Sequence, residues 1–183
     1  MYKRQGIIIG SEPVTESAVN AFWETFGKEE YGLRRETLRP SYGMAEASLI
    51  VTTPQTPERP IISHFDRERL AHGEAVIVEK SEDSVAYASC GQSVVAQDLT
   101  IVDPETRAEL ADGHVGEIWL HGENRAAGYL GRDEETASTF HNTLGKRLAE
   151  GSRVANAPDD NNWLATGDPV SYTHLTLPTS DLV

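Results

Sequence analysis

Ile7-Ile8-Ile9 is an apolar, β-branched run closed by Gly10, the pattern of a short buried strand that stops at a backbone turn. The period then lengthens. Val14, Ala18, Phe22 and Phe26 recur every fourth residue and Val19 and Trp23 widen the stripe, which predicts an amphipathic helix over 13–27 with Pro13 at its start and Gly27 at its stop. Strand, turn and amphipathic helix in succession are the grammar of an α/β fold. Leu49-Ile50-Val51-Thr52-Thr53 predicts a second strand, ended by a segment holding Pro54, Pro57 and Pro60 that cannot sit in a central ladder. Residues 54–88 then read as an irregular excursion, with a short helix near 66–71 and a strand near 75–78.

The second half is mostly strand. Residues 93–102 and 115–120 carry β-branched and apolar positions, and Asp103-Pro104-Glu105-Thr106 with Asp112-Gly113 supplies turn chemistry between them. An antiparallel β unit is therefore expected beside the α/β part. Asp133 can cap a short helix running to Phe140, with Glu134 and Glu135 well placed in its first turn. Residues 151–162 are polar and rich in Asp and Asn, hence a loop.

Composition narrows the class without naming the chemistry. A chain of 183 residues, 38% hydrophobic and 25% charged, suits one ordinary domain with a real core. The formal net charge of −13 comes from acidic residues spread along the chain, which describes a solvated acidic surface and argues against a nucleic-acid or anionic-membrane footprint. Cys90 is the only cysteine, so no internal disulfide can form. With no signal peptide and no apolar run long enough to span a bilayer, a cytoplasmic location is the default expectation.

Both ends read as foreign. Met1-Tyr2-Lys3-Arg4-Gln5 resembles the translation of a transposase adapter used in short-read sequencing libraries, and the run Val170-Ser171-Tyr172-Thr173-His174-Leu175-Thr176-Leu177-Pro178-Thr179 resembles the same adapter read from the other strand. On this reading 1–5 and 170–183 are scars, 6–169 is the natural segment, and residues after Pro169 take no part in the core. The alternative is a natural C-terminal strand.

Three segments suggest a site. Gly10-Ser11-Glu12-Pro13 follows a strand and opens a helix, where backbone N–H groups and lack of bulk suit close approach by a flat or anionic ligand; it also reads simply as a turn. Ser41-Tyr42-Gly43-Met44-Ala45-Glu46-Ala47 offers an aromatic face for a purine and a carboxylate for a hard cation bridged to phosphate oxygens, or else a core tyrosine and a solvated glutamate. Trp163-Leu164-Ala165-Thr166-Gly167-Asp168 ends in a carboxylate able to accept both hydroxyls of a ribose, or forms an Asx turn. His64, His72, His114, His121 and His141 show no metal-ligand spacing.

The combination is more specific than its parts. The segment 42–47, then Gly116-Glu117-Ile118-Trp119-Leu120-His121-Gly122 with Gly128-Tyr129, then 163–168 resemble three successive core motifs of the adenylate-forming enzyme superfamily, in order and at familiar spacing. Gly10-Ser11-Glu12-Pro13-Val14, Ala45, Ala88-Ser89-Cys90-Gly91 and Ile101-Val102-Asp103-Pro104-Glu105-Thr106 resemble the fatty acyl-AMP ligases within it, and residues 53–88 look like that group's insertion. The resemblance implies an α/β fold, here a fragment of the large N-terminal domain in which part of an α/β sheet subdomain joins an antiparallel β subdomain. It implies that a fatty acid, ATP and Mg²⁺ give acyl-AMP and pyrophosphate, the acyl group passing to an acyl carrier protein or a polyketide synthase carrier domain. By the same resemblance Ser11 and Glu12 line the adenine pocket and Tyr42 packs on the purine. Gly43 and Met44 border the α-phosphate and acyl carboxylate, Glu46 is the catalytic Mg²⁺ ligand, and Asp168 holds the ribose. The family's phosphate loop and lysine-bearing domain are expected outside 6–168, so the segment by itself is expected to be inactive. A long-chain acyl-CoA synthetase and a non-catalytic binding protein built on this fold are the rival readings.

Overall fold

The computed structural model of the chain describes residues 6–28, 31–56, 59–94 and 97–173. Strand β1 (Ile7–Ile9) leads through helix α1 (Glu16–Phe26) to β2 (Leu38–Pro40), and β1 and β2 pair in parallel with Ile7 opposite Leu38. Parallel neighbours need a crossover, and α1 provides it. The Thr15 side chain caps α1 by accepting the Ala18 N–H, and Gly27 closes it, one turn later than Pro13 suggests at the start and as expected at the stop. The buried stripe of α1 is Val19 and Trp23, which join Leu38 in one core, whereas Ala18 and Phe26 are exposed. Ile8 is also exposed, so β1 is half-buried rather than buried.

Next come β3 (Tyr42–Met44), a 3₁₀ turn (Ala45–Ala47) and β4 (Leu49–Thr53), with β4 flanked by β3 and by β7 (Gln92–Ser93) in an antiparallel trio. Gly43 lies so close to β4 that a Cβ there would stand 1.8 Å from the Leu49 carbonyl oxygen, so no other residue fits. A third unit, β8 (Gln97–Val102), β9 (Val115–Gly122) and β10 (Leu164–Ser171), is antiparallel in the order β10-β9-β8, as expected for the second half. The single strand expected over 93–102 is two, β7 and β8. Asp103 makes the expected turn, its carboxylate accepting the N–H groups of Glu105 and Thr106, which holds it below the usual carboxylate range. Helix α3 (Asp133–Phe140) has Arg132, not Asp133, at its cap position with no side-chain cap bond; Asp133, Glu134 and Glu135 fill the first turn instead.

Two expectations are corrected here. Residues 54–88 are not irregular throughout: β5 (Ile62–Asp66) and β6 (Ser84–Ala88) form a five-pair hairpin, and α2 (Arg67–Ala71) starts at Asp66, whose carboxylate accepts the Arg69 N–H. The strand expected near 75–78 is only a bridge between Phe65 and Ile77. Alternation in this hairpin is masked because its two strands are separated by the helix and a polar loop. The hairpin unit is pinned on two sides, with Lys80 bonding Glu16 of α1 at 2.8 and 3.0 Å and Ala75 N–H donating to Gly113. The Lys80 ammonium holds the Glu16 carboxyl below its ordinary value.

The second correction concerns the residues just after Pro169, expected from the sequence to take no part in the core. Val170 is 1% exposed and belongs to the largest core, with Val51, Ile101, Ile118, Leu120, Phe140 and Leu164. Ser171 pairs with Val115, and the Tyr172 hydroxyl donates to the Leu99 carbonyl at 3.1 Å. Residues 170–173 are therefore part of the fold, because β9 offers a ladder that continues past Pro169; the remainder of the expected scar, like 1–5, lies outside the described residues.

A second core gathers Val102, Trp119, Leu144, Val154 and Trp163. Thr100 is wholly buried opposite Trp119 of this core, its hydroxyl without a hydrogen-bond partner among the described residues. Burying an unpaired hydroxyl costs about 1–3 kcal/mol. Thr100→Val is therefore expected to raise the urea midpoint, by about 1 kcal/mol of stability. A lowered midpoint would mean that the hydroxyl has a partner.

Candidate functional site

A cleft of about 250 Å³ opens where the turn after β1, the start of β3 and the bend in β10 converge, and Ser11, Glu12, Tyr42, Gly43 and Asp168 all line it. Pro13, Val14, Ser41, Cys90 and Pro169 complete the wall. Ser11 sits at φ 67, the left-handed conformation that turns the chain out of β1 toward Thr15 and the helix. The Tyr42 hydroxyl donates to Asp168 across 126 positions of sequence, linking the sheet that holds β3 to the sheet that holds β10 at the cleft wall. Burial, and then this bond to a carboxylate, push the Tyr42 hydroxyl far above the ordinary tyrosine value, so it stays a donor.

Asp168 owes its place to an irregular stretch of β10. Ala165 pairs with Trp119 and Pro169 with Glu117, leaving Thr166, Gly167 and Asp168 opposite Ile118 alone. Gly167 takes φ +76 there, a conformation glycine adopts without strain.

Met44 and Glu46 do not line this cleft. Met44 packs against the largest core with its sulfur 3.8 Å from the Tyr42 hydroxyl. Glu46 lies on the 3₁₀ turn, its Oε1 accepting the Tyr129 hydroxyl at 2.6 Å and its carbonyl accepting the Ala126 N–H at 2.7 Å. That bond to Glu46 is the first cause of the raised Tyr129 hydroxyl value. The bond to Tyr129 leaves the carboxylate's second oxygen with acceptor capacity for a hard cation, and among the described residues no cluster of three or more His, Cys, Asp or Glu stands ready to hold one. Asn124 secures the same turn by donating to the Ala47 carbonyl, while the Ser48 hydroxyl donates to the Asn124 carbonyl.

Residues 3–130 match the model of the AMP-binding enzyme family. The chain belongs to that family. Its curated relatives include the long-chain-fatty-acid–AMP ligase FadD32 of Mycobacterium marinum, 44% identical over 169 residues that make up 92% of this chain and 26% of that protein. FadD32 of Mycolicibacterium smegmatis is 42% identical over 165 residues, again 26% of its length. The chain thus spans about a quarter of the curated relatives it matches. Among solved structures, a fatty acyl-adenylate ligase from Legionella pneumophila in complex with acyl adenylate and pyrophosphate superposes with TM-score 0.78 at 28% identity, covering 96% of this chain and 28% of that one.

In this member of the AMP-binding family the sequence points to both ends of the Tyr42–Asp168 bond but not to its existence. It misses the roles of Tyr129 and Asn124 in holding the Glu46 turn. The Gly128-Tyr129 pair stands in a motif and is a usable signal for the first; nothing local marks Asn124. His121, half-buried, bonds Asp160 at 3.0 Å on another face, away from the cleft. No helix of the described residues is long and apolar enough to cross a membrane.

Proposed function

We propose that this segment forms part of the ATP and acyl site of a fatty acyl-AMP ligase, which joins a fatty acid to the α-phosphate of ATP and releases pyrophosphate. The observation that carries this reading is the convergence of Ser11, Glu12, Tyr42, Gly43 and Asp168, five of the residues singled out by motif, on one cleft. Ser11 and Glu12 border the adenine, and Tyr42 gives it an aromatic face. Asp168 keeps one carboxylate oxygen on the Tyr42 hydroxyl and presents the rest of its acceptor capacity to the ribose hydroxyls. Gly43, with no side chain, leaves room for the α-phosphate and acyl carboxylate. Glu46 would ligate Mg²⁺, which when bound neutralises charge on the phosphate oxygens. Catalysis on this reading is positioning and charge neutralisation, with no covalent enzyme intermediate.

The acceptor is proposed to be the phosphopantetheine thiol of a carrier protein. In support, residues 53–88, read as an insertion, pack on the body through Lys80–Glu16 on one side and through Phe65, Leu70 and Ala75 against Val115 on the other. A firmly packed insertion hinders the domain rotation that CoA use requires. With the protein at full length, a long-chain acid is expected to give acyl-AMP and acyl-carrier product with little acyl-CoA; efficient acyl-CoA formation would move the assignment to an acyl-CoA synthetase. Asp168→Ala is expected to raise the KM for ATP about tenfold with little change in kcat, since ribose contacts are alike in ground and transition states. A fall in kcat at unchanged KM would contradict the ribose role.

A further inference from the structure

We propose that Glu117 and Thr166 are positioning residues that set Asp168 for the ribose, an inference that rests on the ribose role just given. Three residues of β10 facing one of β9 leave backbone groups that the ladder cannot pair, and these two side chains take them up. The Glu117 Oε1 accepts the Gly167 N–H at 2.6 Å. Its Oε2 accepts the indole N–H of Trp119 at 3.1 Å, and Trp119 is 2% exposed in the second core. The Thr166 hydroxyl donates to the Ile118 carbonyl at 3.0 Å and accepts the Asp168 N–H at 3.1 Å. The two successive peptide units that lead into Asp168, those carrying the Gly167 and Asp168 N–H groups, are thereby tied to β9, the first through a carboxylate anchored on a buried indole and the second through the Thr166 hydroxyl.

The bonds made by Glu117 use both of its oxygens as acceptors toward two N–H donors. A carboxamide has one acceptor and one donor end, so glutamine leaves either Gly167 or Trp119 facing another N–H. This explains why a carboxylate in particular suits the position. Gly167 is exposed, so water can take its N–H when Glu117 is removed. The loss at Gly167 therefore loosens Asp168, while the indole N–H of Trp119, left without its acceptor, adds a stability cost that Thr166→Val does not carry. A few tenths of an ångström at Asp168 are enough to spoil simultaneous acceptance from two vicinal hydroxyls.

The test compares AMP with 2′,3′-dideoxy-AMP by equilibrium dialysis on the protein at full length, using Glu117→Ala, Glu117→Gln, Thr166→Val and Asp168→Ala. Wild type is expected to prefer AMP, and Asp168→Ala to lose that preference. Glu117→Ala and Thr166→Val are expected to weaken AMP about tenfold, the loss of one hydrogen bond to a charged group, while leaving dideoxy-AMP unchanged. Glu117→Gln should follow Glu117→Ala. Thr166→Val, nearly isosteric, keeps the test alive if the glutamate variants fail to fold. Equal weakening of both nucleotides, or an intact preference in the Glu117 and Thr166 variants while Asp168→Ala loses it, would overturn the positioning role and leave the ribose role standing. A preference that survives Asp168→Ala would overturn both.

Discussion

Glu46→Ala is expected to lower fatty acid-dependent ATP–pyrophosphate exchange by the full-length protein about a hundredfold, equivalent to roughly 3 kcal/mol of transition-state stabilisation. On the proposed reading the variant would remove one oxygen ligand for the cation where phosphate charge develops, and the effect would belong in kcat. The fold should tolerate the change well. Glu46 is half-buried, its side chain is held by the Tyr129 hydroxyl, and its turn is held independently by the Ala126 N–H and by Asn124. Glu46→Gln separates the two roles of the side chain: it keeps an acceptor for Tyr129 and lowers the charge on the metal side, so it should track the alanine variant in rate. Exchange at wild-type level in either variant would remove Glu46 from the chemistry.

Glu109→Ala should cost about 4 kcal/mol of stability, and Glu109→Gln about 2 kcal/mol, although neither touches the cleft. Glu109 is 4% exposed. Its Oε2 accepts the Leu148 N–H and the Ser152 hydroxyl, both at 2.8 Å, and its Oε1 accepts the Arg153 N–H at 2.9 Å. One carboxylate thus satisfies donors from a long loop that has no regular structure of its own, between α3 and β10. Alanine strands all three donors, at about 1–3 kcal/mol for each buried group that water does not reach. Glutamine can serve the pair at one end and must turn its own N–H groups toward the other. Val154 and Ala157, buried in the second core just beyond these contacts, should loosen with the loop. Urea unfolding of the three proteins checks the order wild type, glutamine, alanine; an alanine variant within about 1 kcal/mol of wild type would show that the loop holds without its central acceptor.

Local pattern carried much of this fold. The residues of α1, β4 and β9 announce themselves because a helix period, a β-branched run and an Asp–Pro or Asp–Gly turn are short-range signals, set by backbone sterics and by neighbours within a few positions. The same holds for the three motifs, whose residue types can be read in order along the chain. The buried face of α1 was legible only in part: Val19 and Trp23 stand at the edge of the stripe read from Val14 and Ala18, and which side turns inward depends on where Leu38 arrives. The hairpin of β5 and β6 was illegible for a related reason, since Phe65 meets Val85 only after a helix and a polar loop have intervened.

What the chain's order of residues determined by itself was therefore the existence of the elements, the place of the turns, and a set of side chains with the chemistry for a nucleotide. Only the tertiary structure decided which of them meet. Tyr42 reaches Asp168 across 126 positions and Tyr129 reaches Glu46 across 83, while Met44, next in sequence to a cleft residue, turns into the core. Such contacts must overcome the loop-closure entropy of the intervening chain, and no local propensity encodes them. They form because the shared core of Val51, Ile118 and Leu164 fixes β4, β9 and β10 against one another, and the irregular stretch of β10 then brings Asp168 to the Tyr42 hydroxyl.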